Sequence, residues 1–94
     1  MADQPASSLG PVDFSTYVLS TASTVQVALG IMPGFDGKPE PVDLEAARYF
    51  IDVLAMLEQK TKGNLDETEQ KLLASLVYDL RVAYVDAQNK ATAK

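Results

Sequence analysis

Lys60-Thr61-Lys62-Gly63-Asn64-Leu65-Asp66-Glu67-Thr68-Glu69 ends one helix and begins another with almost nothing between them. Gly63 suits the left-handed backbone position just past a helix, and Lys60 and Lys62 stand where the negative end of a helix attracts cations. Asp66 and Glu69 have the spacing of a capping box, in which each side chain satisfies the other's free backbone N–H. The stretch therefore predicts a tight antiparallel helical hairpin.

On its N-terminal side, Asp43 is placed to cap a helix over Leu44–Thr61. At 100° per residue this helix spreads Leu44, Ala46, Ala47, Phe50, Ile51, Val53, Leu54, Ala55 and Leu57 over more than half its circumference. Charge is confined to a wedge of Glu45, Arg48, Asp52 and Gln59, plus Glu58 at the spacing to pair with Lys62. Such a helix is expected to be the central element, buried on most sides by its neighbours or by a second copy of the chain. On the C-terminal side, Glu67 to about Gln88 carries one clean stripe of Leu72, Leu73, Leu76, Val77, Leu80, Ala83, Tyr84 and Ala87. A smaller apolar cluster of Ala74, Tyr78, Val82 and Val85 falls on the far side.

Further out, Asp13 is placed to cap a first helix running to about Gly30 or Met32, with Phe14, Val18, Ala22, Val25, Leu29 and Met32 along one side. Its other side, with Thr16, Leu19, Ser20, Ser23, Val27 and Ile31, lacks the charges a solvent-facing helix normally carries. Between the first and second helices, Pro33–Val42 contains three prolines and two glycines and must be loop, turning at Asp36-Gly37. Residues 1–12 predict a flexible lead, 13–90 a single helical domain and 91–94 a frayed end. No alternating pattern argues for strands.

Composition narrows the chemistry. The chain has 94 residues, 47% hydrophobic and 22% charged, which is the balance of one small folded domain. It contains no cysteine and no histidine, so thiolate chemistry, disulfides, the usual neutral-pH general base and the commonest metal ligand are all missing. A reducing cytosol suits such a chain, and nothing at Met1–Pro5 resembles a secretory signal. The net charge of −5 opposes direct binding to nucleic acid or to an anionic membrane. Phe14–Phe35 is free of charge, but its serines, threonines and Gln26 make it too polar for a membrane span.

Leu29-Gly30, Pro33, Gly37-Lys38, Asp43-Leu44, Ala47, Ile51-Asp52, Leu54, Met56-Leu57, the Lys60–Leu65 string, Glu69, Leu72-Leu73, Leu80-Arg81 and Tyr84-Val85 together carry a family likeness. Over Phe14–Val85 the chain resembles the bacterial family called domain of unknown function 1844. The resemblance implies a small, all-helical, cytoplasmic protein with no established catalytic residues. Family members often have a longer charged N-terminal extension, and this chain reaches its first helix within about a dozen residues.

Four local features could carry function. Lys60, Lys62 and Asn64, beside the start of the third helix, have the makings of an anion site, although capping accounts for the same residues. Asp36, Glu40 and Asp43 gather carboxylates around one loop, but the spacing fits no EF-hand, and solvated loop charge explains them. The short turn between helices also evokes a helix-turn-helix reader, yet Glu67, Glu69, Asp79 and Asp86 would repel phosphates. The best interaction surface is Tyr78, Val82 and Val85, flanked by Lys71 and Arg81, together with Leu19 and Val27 on the uncharged back of the first helix. Ser20 and Ser23 would allow a close helix approach. The expectation is an all-α three-helix bundle completed by homo-oligomerisation, non-enzymatic, using no metal or cofactor, and acting through protein contacts. The alternatives are a small-ligand or anion binder, with or without weak enzymatic activity, at the Lys60–Asn64 turn and a membrane-peripheral protein using the first helix.

Overall fold

A computed structural model of the chain describes residues 12–34, 36–38 and 41–92. Helix α1 spans Phe14–Ala28, α2 spans Leu44–Lys60 and α3 spans Glu67–Thr92, with no strand among the described residues. The fold is a small all-α three-helix bundle in which α2 and α3 form the antiparallel hairpin. Of the expected flexible lead only Val12 is described, and the rest of it lies outside the described residues, as do Phe35, Pro39, Glu40, Ala93 and Lys94.

Each helix starts where an acid can accept its orphan N–H groups. The Asp13 Oδ1 accepts from the Thr16 N–H at 2.7 Å and the Asp43 Oδ1 from the Ala46 N–H at 3.0 Å. That backbone N–H, aimed at the Asp13 carboxylate, holds its pKa below the usual carboxylate value. At α3 the capping box is closed in both directions: the Glu69 N–H donates to Asp66 at 2.8 Å, and the Asp66 N–H donates to Glu69 at 3.0 Å.

Helix α1 ends at Ala28, short of the expected Gly30 or Met32, because a complete Schellman motif closes it. The Ile31 N–H donates to the Gln26 carbonyl at 2.9 Å, the Gly30 N–H donates to Val27 at 3.0 Å, and Gly30 takes a left-handed φ of 77°. The linker then turns at Asp36-Gly37, where the Asp36 carboxylate accepts from the Lys38 N–H and Gly37 also has positive φ. It returns to its origin: the Asp43 N–H donates to the Ala28 carbonyl at 2.8 Å.

The core is drawn from one stripe per helix: Val18, Ala22, Val25 and Leu29; Ala47, Ile51 and Leu54; Leu73, Val77 and Leu80. Leu54, Leu73, Val18 and Val25 are its largest fully enclosed side chains, each contributing about 1.5–3 kcal/mol through burial. All three helix pairs touch, with α2 the most engaged. The shortest dimension of the molecule, 16 Å, is the depth of two helix layers, and α1 packs against both helices of the α2–α3 hairpin.

Three further expectations are corrected. Helix α2 is central but not covered on most sides, since only Ala47, Ile51 and Leu54 are fully buried. Two neighbours reach only part of a helix's circumference, and Tyr49 and Met56 are left exposed. Helix α3 runs through Ala91 to Thr92, four residues beyond Gln88, with the Thr92 hydroxyl bonded back to the Gln88 carbonyl. Glu58 and Lys62 form no ion pair among the described residues, because α2 stops at Lys60 and Lys62 no longer lies one turn above Glu58.

Candidate functional site

The junction from Thr61 to Asp66 is built by backbone bonding. The Thr61 N–H and hydroxyl both donate to the Leu57 carbonyl, and the Asn64 N–H donates to Thr61 at 2.8 Å. Gly63, at φ 84°, serves this Thr61–Asn64 turn rather than forming the immediate cap of α2. A shallow pocket of about 200 Å³ opens here, lined by Glu58, Gln59, Thr61, Lys62, Gly63, Leu65, Gln70 and Leu73. Of Lys60, Lys62 and Asn64, Lys62 alone lines it, together with the acidic residue Glu58. The Asp66 carboxylate already occupies the Glu69 N–H, one of the free donors with which the start of α3 could hold an anion.

The acidic loop residues are likewise spoken for. Asp36 accepts from Lys38 and Asp43 from Ala46, while Glu40 lies outside the described residues. Among the described residues no three carboxylate or imidazole groups converge on a metal-sized site.

The apolar residues on α3 are brought together as expected. Leu73, Val77 and Leu80 point into the core, and Ala74, Tyr78, Val82 and Val85 share an arc of about 80° on the opposite side. Tyr78, Val82 and Val85 are 69%, 54% and 51% exposed, large fractions for side chains of this kind on one helix face. Charged partners border them: Lys71 pairs with Glu67 at 3.0 Å and Asp86 with Lys90 at 3.2 Å. Both pairs are exposed i,i+4 contacts and contribute only a few tenths of a kcal/mol each.

The two α1 residues assigned to the same surface separate. Leu19 is about half exposed, whereas Val27 lines a groove beneath the returning linker with Thr24, Ala28, Val42, Leu44 and Ala46. Four of the hydroxyls on α1 are bonded back to the helix itself. Ser20 and Thr21 bond back to the Tyr17 carbonyl, Ser23 to Leu19 and Thr24 to Ser20. An uncharged helix rich in Ser and Thr thereby satisfies those hydroxyls internally, and Thr21 is buried without an orphaned donor. No described helix is long and apolar enough to cross a membrane.

Sequence reasoning missed Tyr49 and Met56 on α2. Tyr49 is 64% exposed and its ring meets Phe50 edge-on, with centroids 5.1 Å apart. Their spacing from Val53, four residues after Tyr49 and three before Met56, marks a second outward apolar row.

The molecule is thus a small all-helical domain with a single core and apolar side chains left over on the outer faces of its helices. The chain belongs to the family described as Domain of unknown function (DUF1844), whose model matches residues 11–86. No curated protein and no solved structure matches it.

Proposed function

We propose that this protein is a non-enzymatic interaction or regulatory module of the bacterial cytoplasm that works through self-association and protein contacts, without binding nucleic acid or membrane directly. The observation that carries this is the outward cluster of Tyr78, Val82 and Val85 on a helix whose inner face is already packed. Tyrosine and arginine, which Tyr78 and Arg81 place within one turn of each other, are the residues enriched in contact hot spots. Sedimentation at micromolar concentration should find the unaltered chain assembled. Tyr78→Ala combined with Val82→Ser should dissociate it while helical circular dichroism is retained. A monomeric unaltered chain contradicts the proposal.

The pocket at the Thr61–Leu65 turn favours a second function, binding of a small anionic ligand through Lys62. Thermal shift against inorganic phosphate and nucleotides tests it, since bound ligand raises the melting temperature. Stabilisation that disappears in Lys62→Ala would support this function. No shift with any of them, or an unaltered shift in the variant, would exclude it.

A further inference from the structure

We infer that the occupant of the α3 outer face is the same face of a second copy, docked antiparallel about a two-fold axis at Tyr78. This rests on the self-association proposed above and specifies its geometry. Lys71, Ala74, Tyr78, Val82 and Val85 stand at −7, −4, 0, +4 and +7 relative to Tyr78, so the row has the same spacing read in either direction. A two-fold axis requires such a self-complementary patch. Tyr78 also lies close to the middle of α3, so an antiparallel pair centred there overlaps along nearly the whole helix.

In that register Ala74 is level with the partner's Val82, placing a small side chain against a larger one. Arg81, three residues past the axis, lies within about 4.5 Å along the helix of the partner's Tyr78, within range of a cation–π contact. The charges select the direction. Lys71 is within about 1.5 Å of level with the partner's Asp86. Each chain already holds Glu67 to Lys71 and Asp86 to Lys90. Antiparallel docking therefore extends these pairs into an alternating series of Glu67, Lys71, the partner's Asp86 and the partner's Lys90. Parallel docking would instead oppose Lys71 to Lys71 near the middle of the face, which is unfavourable.

Charge reversal tests the register. Lys71→Glu and Asp86→Lys should each weaken the dimer about tenfold in sedimentation equilibrium, as two symmetry-related pairs turn repulsive. The double variant should return to within about twofold of the unaltered chain, because both cross-chain pairs are restored with reversed sign. Within one helix, Lys71→Glu sets a second acid one turn from Glu67, and Asp86→Lys sets a second cation one turn from Lys90. The double variant keeps both of these repulsions. An intrahelical origin would therefore make the double variant worse than either single one. That outcome, or single variants as tightly associated as the unaltered chain, overturns the antiparallel α3 dimer. If Tyr78→Ala with Val82→Ser still dissociates the assembly in that case, self-association through this face stands with a different geometry. A monomeric unaltered chain overturns both.

Discussion

Gly30 and Gly63 both take left-handed backbone conformations, yet they differ in what surrounds them. A Cβ added at Gly63 would meet nothing within 4 Å, whereas one at Gly30 would come to 3.1 Å from the Val42 Cγ2. Gly63→Ala should therefore cost only the conformational penalty, about 1 kcal/mol. Gly30→Ala adds crowding against a linker that must return to Asp43, for a total of about 2 kcal/mol or more. Thermal unfolding should show both losses, with Gly30→Ala melting lower, at about 4–8 °C per kcal/mol for a domain of this size. An equal loss in the two variants would mean that the Val42 contact yields freely. At this scale the sequence was informative where one side chain acts on its own turn. Asp13, Asp43 and Asp66 all cap as their positions foretold. The exact place of Gly63 was less legible, because a glycine near a helix end suits either the cap or the turn that follows.

The three helices were legible because apolar residues recur at helical spacing and each start has its capping acid. What periodicity cannot reveal is the number of neighbours. Helix α2 has apolar residues on most of its surface, and only the packed arrangement shows that Ala47, Ile51 and Leu54 claim the core while Tyr49 and Met56 do not. On α3 the narrower stripe left less ambiguity, so Tyr78, Val82 and Val85 could be assigned outward from sequence alone. Helix α1 posed a different problem. Its lack of charge is conspicuous, but the backward bonding of Ser20, Thr21, Ser23 and Thr24 depends on rotamers that spacing does not specify. The same limit separated Leu19 from Val27, since the course of the linker, rather than the period of α1, decides which of them is covered.

For the whole molecule, two layers of helix around the ten hydrophobic side chains that are buried among the described residues make a small core. Domains of this size have little stability to spare, and association of folded chains draws the folding equilibrium with it. The melting temperature should therefore rise with protein concentration for the unaltered chain and lose that dependence in Tyr78→Ala with Val82→Ser. Differential scanning calorimetry across a hundredfold concentration range would check this, and a flat response in the unaltered chain would count against a dimer coupled to folding.

The bond from the Asp43 N–H to the Ala28 carbonyl also separates two properties that are usually joined: how long a loop is and how far apart it holds its helices. Leu29–Val42 leaves and re-enters the bundle at adjoining points, so the clasp at its base and the core beneath it, rather than the loop's length, hold α1 against α2. Doubling the length of a flexible loop adds only about 0.6 kcal/mol of closure cost. The Asp36-Gly37 turn is thus a port into the scaffold, where a guest peptide could be spliced in and displayed without redesigning the helices beneath it.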